Sequence, residues 1–273
     1  MTVDYRSQTV LLTGASSGIG AALTAALAAR GANLVLVARR AERLASLAED
    51  LRRTHGVRVE AIPFDLTSPA AGNELRDAVA DRDVEVTSLV NNAAFGTFGP
   101  FAGADPGRLA AEIAVDVTAP VALTAAFMPQ MLSAGNGFIV NVAGVTAYLP
   151  SPRMAVYSAA KAFVLSFSES LWTELRGTGL TACAVCPGAT DTDFTTGMGP
   201  GAGVLTSGRM RTPEDVAATA IRHLDRRNPG PAVIDGRANR MSVIMSRLTS
   251  RRTSARMMDR VFDPDRRSKP AAA

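Results

Sequence analysis

The chain has 273 residues, 47% of them hydrophobic and 20% charged, which suits one large α/β domain or two smaller ones and excludes wholesale disorder. Two cysteines exclude a disulfide scaffold, and two distant histidines, His55 and His223, argue against a histidine metal site. The net charge of +4 is uneven: residues after Asp235 hold ten basic and three acidic groups, so the body before them is mildly acidic and shows no footprint for nucleic acid.

Strand-like and helix-like patterns alternate from the start. Thr9–Leu12 reads as a short buried strand. Ile19, Leu23, Ala26 and Leu27 then repeat at helical spacing towards Gly31, a candidate C-terminal cap. Leu34–Val37 is the next strand, and Ala41–Arg53 a helix with Leu44, Leu47 and Leu51 on one face. Val57–Ile62, Ser88–Val90, Phe138–Val142 and Leu180–Val185 follow as strands. The stretch Val117–Pro152 has no charged residue, but Pro120, Pro129 and Gly135-Asn136-Gly137 interrupt it, so a buried helix and strand are expected there and not a membrane span. Residues 194–211 are glycine-rich and read as a mobile loop, after which Thr212-Pro213-Glu214-Asp215 has the pattern of a capped helix start. Such β-α-β alternation predicts a doubly wound parallel sheet of Rossmann type, with residues 1–235 as one domain and 236–273 as a basic helical extension whose end is disordered. Nothing at the N-terminus has the layout of a signal peptide, and a cytoplasmic location is the expectation.

Gly14, Ser16, Ser17, Gly18, Ile19 and Gly20 lie between the first strand and the first helix. Glycines there permit a tight turn and let a pyrophosphate approach the backbone at a helix N-terminus, although a plain strand-to-helix turn uses the same residues. The second strand ends in Ala38-Arg39-Arg40. A carboxylate at that point suits the ribose hydroxyl of NAD, whereas guanidinium groups suit the 2′-phosphate of NADP, so NADP(H) is expected, with Arg39 the better placed of the two.

Tyr157 and Lys161 stand four residues apart and would share a helix face. A cation beside a phenol lowers its pKa, which would let the tyrosine exchange a proton near neutral pH. Lys161 is the only lysine before residue 269.

From these motifs the chain resembles the short-chain dehydrogenase/reductase family over roughly residues 8–235. Thr13–Gly20 is similar to the family's TGxxxGIG loop, Asn91-Asn92-Ala93-Ala94 to its NNAG element, Tyr157 with Lys161 to its YxxxK pair, and Pro187-Gly188 with Thr192 to its PGxxxT element. The resemblance implies that Asp65, beside Leu66, meets the adenine and that Asn91, Ala93, Pro187, Gly188, Thr190 and Thr192 line the cofactor. It also implies that Tyr157 protonates a carbonyl oxygen as hydride arrives from the nicotinamide, while Lys161 lowers the tyrosine pKa and holds the ribose. A small-molecule substrate and a homodimer or homotetramer are expected on the same ground.

Two positions depart from the family pattern. The catalytic serine, 13 residues before the tyrosine, is Gly144 here, and the active-site asparagine is Asp116. Thr146 could supply the missing hydroxyl if the chain stays extended, since alternate residues share a face. In that case Thr146→Val should be damaging and Gly144→Ser should add little. Without such a substitute, Gly144→Ser should raise turnover. Asp116 would support Lys161 as a charged partner.

Cys183 and Cys186 are three apart in a strand, hence on opposite faces, and read as buried thiols with no metal role. Trp172, Phe163 and Phe167 would pack in the core or against a partner chain, and Met198, Val204 and Leu205 would touch an apolar substrate. Met241, Ile244, Met245 and Leu248 fall on one face of the tail among arginines, a pattern for an amphipathic helix on a membrane surface, on a partner or on the body. Three functions fit: an NADPH-dependent carbonyl reductase or alcohol dehydrogenase, the same scaffold acting on a C=C or C=N bond or an elimination, and a nucleotide-binding protein without redox turnover.

Overall fold

The computed structural model describes residues 3–206 and 210–263. Seven parallel strands form one sheet in the order β3-β2-β1-β4-β5-β6-β7. They are β1 (Thr9–Thr13), β2 (Asn33–Ala38), β3 (Val59–Pro63), β4 (Ser88–Asn91), β5 (Gly137–Val142), β6 (Leu180–Cys186) and β7 (Ala232–Ile234). The order reverses between β1 and β4, which opens a crevice at the carboxyl ends of the strands. The helices are α1 (Gly18–Ala28), α2 (Ala41–His55), α3 (Ala71–Ala80), α4 (Pro106–Ile113), α5 (Ala119–Ala134), α6 (Ala155–Glu174), α7 (Pro213–Leu224), α8 (Arg237–Arg247) and α9 (Arg251–Val261).

Apolar side chains fill both sides of the sheet, as strands buried on both faces require. On one side Val10, Leu12, Leu34 and Leu36 meet Leu23 and Leu27 of α1, Leu44 of α2 and Ile221 of α7. On the other, Leu11, Val35, Leu89 and Ile139 meet Leu75 of α3 and Leu123, Phe127 and Met131 of α5. The uncharged stretch is therefore α5 and β5, both in the core. Pro106–Ala134 is long and apolar enough to cross a membrane by length and composition alone, yet it carries the buried acids Glu112 and Asp116 and a π turn over Ala114–Thr118.

Several boundaries differ from expectation. α1 ends at Ala28, with Gly31 in the left-handed turn beyond it, and α2 runs to His55, where Gly56 adopts φ +66°. β7 is an edge strand of three half-buried residues, too short to show a period. Residues 194–206 are not the loose loop expected. They form two 3₁₀ turns, and Met198 and Ala202 are buried in an apolar cluster with Phe98, Met154 and Phe262. The predicted cap of α7 is present as a full capping box: Asp215 N–H donates to Thr212 Oγ1, and Asp215 accepts from the Thr212 N–H. Cys183 and Cys186 are buried on opposite faces of β6. The basic extension is two helices, not one, broken before Ser250, which caps α9. Met241, Ile244, Met245 and Leu248 are exposed. The expected disorder after Asp263 lies outside the described residues.

Candidate active site

The crevice at the sheet's switch point opens into a cavity of about 560 Å³. One end is lined by Gly14, Ser17, Gly18, Ile19, Gly20, Arg39 and Arg40, the middle by Asn92, Pro187, Gly188, Thr190 and Thr192, and the other end by Gly144, Thr146, Tyr157 and Lys161. Residues far apart in sequence are thus brought together, because β1, β2, β4, β5 and β6 all release their following loops on the same edge.

The glycine loop is shaped by close approach. A Cβ on Gly20 would sit 2.1 Å from the Gly14 carbonyl oxygen, and one on Gly18 2.9 Å from Thr192 Cγ2. Among the described residues no side chain caps the N-terminus of α1, and Ser17, Gly18, Ile19 and Gly20 at that positive end line the cavity. Arg40 reaches across to this loop, its Nη2 donating to Ser17 Oγ at 2.8 Å and Ser16 Oγ at 3.2 Å. Arg40 is therefore as much part of the site as Arg39, which sequence alone had favoured. Arg39 lies near Asp65, whose carboxyl is held below its ordinary value chiefly by the Thr67 N–H, with Arg39 assisting.

Some expected contacts are redirected. Leu66 is buried in the core beside α3, and only its backbone is left for a ligand. The side chain of Asn91 ties β4 to β5 by donating to Asn141 Oδ1 at 2.8 Å, and Asn141 donates onward to Ser168 Oγ at 2.8 Å. Asn92, which the sequence did not single out, lines the cavity instead, and its Nδ2 donates to the Thr13 and Gly14 carbonyls. The Ala93 backbone packs on Gly14. Of the apolar loop residues, Val204 and Leu205 line the cavity and Met198 lies behind it.

Tyr157 and Lys161 share the inner face of α6 as expected. Lys161 Nζ lies 5.3 Å from the Tyr157 ring centre, donates to the Val142 carbonyl at 3.2 Å, and pairs with Asp116 Oδ2 at 3.3 Å. The π turn between α4 and α5 brings Asp116 to this position, where it also accepts from the Phe95 N–H at 3.1 Å. Burial pushes the Asp116 carboxyl up, while Lys161 and Phe95 draw it back. The expected lowering of the Tyr157 pKa is reversed. Burial raises the phenol, and Asp116 and then Glu112 add to the effect. The physical reason is that burial disfavours the charged phenolate and two nearby carboxylates disfavour it further, which the spacing of a tyrosine and a lysine does not reveal.

Gly144 starts a 3₁₀ turn over Val145–Ala147 at φ +152°, a backbone region that L side chains rarely adopt. A Cβ built there would lie 3.2 Å from Thr146 Oγ1. The chain is therefore not extended here as the alternate-residue argument required; it is the 3₁₀ turn, and not strand alternation, that sets the threonine hydroxyl beside the space where a serine side chain would begin. The hydroxyl is buried and has no hydrogen-bond partner, an uncommon state and one that fits a group awaiting a ligand.

The family model for short chain dehydrogenases matches residues 8–202. A short chain dehydrogenase of Pseudocercospora fijiensis is 34% identical over 198 residues, covering 70% of this chain and 62% of that protein, slightly under two thirds of its length. A short-chain dehydrogenase from Sphingobium yanoikuyae, solved in complex with NADPH, superposes with a TM-score of 0.77 at 35% identity over 88% of this chain and 93% of the other. A bulky-bulky ketone specific alcohol dehydrogenase from Comamonas testosteroni gives 0.73 at 32% identity over 88% and 92%. With its parallel sheet, glycine loop and Tyr157–Lys161 pair, the chain belongs to the short-chain dehydrogenase/reductase family of oxidoreductase enzymes.

Proposed function

We propose that the protein transfers hydride between NADP(H) and a carbonyl or secondary alcohol, with Tyr157 as general acid/base and Thr146 in place of the family serine. The carrying observation is the unpartnered Thr146 hydroxyl in the same cavity as Tyr157. Carbonyl reduction develops negative charge on an oxygen that needs a hydrogen-bond donor, and such donors typically supply about 3–4 kcal/mol. The residues present fit the dinucleotide: an uncapped helix N-terminus, a backbone cleared of side chains at the glycines, and two guanidinium groups at the far end of one continuous cavity. When bound, the cofactor supplies or accepts the hydride. Tyr157, protonated through the neutral range, gives its proton to the substrate oxygen in reduction and receives it in oxidation. Lys161 is held by Asp116 and the Val142 carbonyl at the base of this group. The test is NADPH oxidation against a panel of ketones, imines and enones. Turnover of ketones alone is expected, whereas activity confined to another bond type would refute the reading.

The 2′-phosphate is assigned to Arg39 and Arg40. Replacing either by alanine is expected to weaken NADPH binding roughly ten- to a hundredfold, as the loss of a charge-assisted hydrogen bond of about 1.5–3 kcal/mol implies. NADH binding should change little, and fluorescence titration of both cofactors with both variants decides it. Equal affinities in the parent protein would overturn the assignment to NADP(H).

Asp116 has a separate, measurable effect. Its negative charge adds to the rise of the phenol that burial begins, so Asp116→Asn should lower the Tyr157 pKa by removing that charge. Reduction needs the protonated phenol and fails as pH rises through its pKa. Oxidation needs the phenolate and fails as pH falls through it. Both limbs should therefore move to lower pH, by about one pH unit or more for removal of a neighbouring charge. Unchanged profiles of kcat against pH would show that Asp116 does not act on the phenol. The proposed dimer or tetramer has an apolar surface to use in Phe163, exposed and stacked on Phe167 at 6.0 Å along α6.

A further inference from the structure

The last turn of the basic extension enters the candidate site. Val261 and Phe262 line the same cavity as Tyr157 and Thr146, although about a hundred residues separate them in sequence. We infer that α9 and the residues just after it form the outer wall of the substrate subsite, and that Phe262 is a specificity-determining residue for a bulky, apolar, uncharged ketone or secondary alcohol. This deepens the carbonyl-reduction reading above and rests on it.

Three observations join the arm to the site. Phe262 is 7% exposed and packs in one apolar cluster with Phe98, Met154, Met198 and Ala202. Met154 is the residue before α6, three positions ahead of Tyr157, and Met198 belongs to the segment after β6, so this cluster holds three walls of the site against one another. Arg153 pairs with Asp259 at 3.4 Å and with Asp263 at 3.7 Å. Its own backbone is in the left-handed region at φ +66°, rare for an arginine, and its carbonyl accepts from the Gly99 N–H at 2.9 Å. At the other end of the extension, Asn239 of α8 donates to the Asp235 carbonyl at 2.7 Å and lies where a Cβ on Gly188 would be. Ion pairs on a surface hold weakly, so burial of Phe262 is the main anchor and the arginine sets where it lands.

The chemistry of the wall selects the ligand. Beside Phe262 the described lining residues at this end include Phe95, Val145, Phe194, Val204 and Leu205. Among the described lining residues the cations are Arg39 and Arg40, at the far end, and Lys161, which is paired with Asp116. Asp193 is the charged side chain near Phe194. A carboxylate, phosphate or sulfonate on the substrate would lose its water here and meet a like charge, whereas a hydrocarbon ring or chain would meet aromatic and aliphatic carbon.

Phe262→Ala tests this with NADPH and three ketones of rising size, acetone, cyclohexanone and 2-tetralone, beside pyruvate as an anionic probe. The expected result is a fall of roughly tenfold or more in kcat/KM for 2-tetralone, less than about threefold for acetone, and an unchanged NADPH Kd. An equal loss on all three ketones, or none on 2-tetralone, overturns the assignment, as does efficient turnover of pyruvate by the parent protein. Arg153→Gln, which leaves the aromatic ring in place, should raise KM for 2-tetralone while kcat with acetone stays within about twofold. An unchanged KM would overturn the claim that Arg153 sets where Phe262 lands. If NADPH binds but no ketone is reduced, the underlying reading fails by itself. The subsite is then judged by binding of 2-tetralone to the NADPH complex, followed by quenching of nicotinamide fluorescence. Binding weakened about tenfold or more by Phe262→Ala supports the wall, and binding that is absent or insensitive to the substitution overturns it.

Discussion

Tyr157→Phe is expected to lower kcat for ketone reduction by about 10²–10⁴, the usual contribution of a positioned general acid. The substitution removes the phenolic hydroxyl and leaves the ring in place. The ring is packed 5.4 Å from Phe194 and 5.3 Å from Lys161 Nζ, and phenylalanine keeps both contacts, so cofactor affinity and thermal stability should be retained. The buried phenol lies above its ordinary value, which keeps the acid loaded at neutral pH. Single-turnover oxidation of prebound NADPH is the clean measurement, because it separates the proton-dependent step from product release. A loss of less than tenfold would move the acid role away from Tyr157. A large loss accompanied by weaker NADPH binding would instead mark the phenol as part of the cofactor cradle.

Thr146→Val should cost roughly 10²–10³ in kcat, or about 3–4 kcal/mol, if its hydroxyl donates to the developing oxyanion. Valine keeps the β-branched shape of threonine with a methyl in place of the hydroxyl, so the pocket is kept while the donor is lost. In the free protein the change is expected to be neutral or slightly stabilising, since the Oγ1 is buried without a partner and its desolvation is uncompensated until substrate arrives. A drop in kcat together with an equal or higher Tm is therefore the signature, and a purely structural role would give the opposite sign in Tm. Gly144→Ser is expected to reduce activity and not to restore it. The backbone at φ +152° resists any Cβ, and the new atom would press on Thr146 Oγ1 at 3.2 Å, displacing the hydroxyl it was meant to supplement. A faster Gly144→Ser enzyme would show that the family serine was missing and uncompensated.

Much of this was readable along the chain because it is local. The parallel sheet shows itself in short runs of β-branched and aliphatic residues, such as Leu34–Val37, separated by helical periods, and buried strands have little other choice of sequence. The glycine loop is legible because close backbone approach admits only glycine at Gly14, Gly18 and Gly20. Tyr157 and Lys161 are legible because one helical turn brings residues four apart together. Other features have no local signature. The three-residue β7 is too short for a period. Asn92 and Asn91 look alike in sequence, and only the alternation of side chains at the end of β4 decides which one faces the cavity.

The sequence by itself determined the fold class, the dinucleotide loop, the Tyr157–Lys161 pair and the two altered positions, because each is a matter of residue type at fixed spacing. Only the tertiary structure decided how those positions behave. The sign of the Tyr157 shift depends on burial and on carboxylates of another helix, Asp116 and Glu112, and a pattern of four residues holds neither. The seating of α9 is decided in the same way, whereas the face of α8 that carries Met241, Ile244, Met245 and Leu248 stays exposed. What seats α9 on the body is the burial of Phe262 among Met154, Met198 and Phe98 and the reach of Arg153 to Asp259, contacts whose partners are distant along the chain and adjacent only after the sheet has formed.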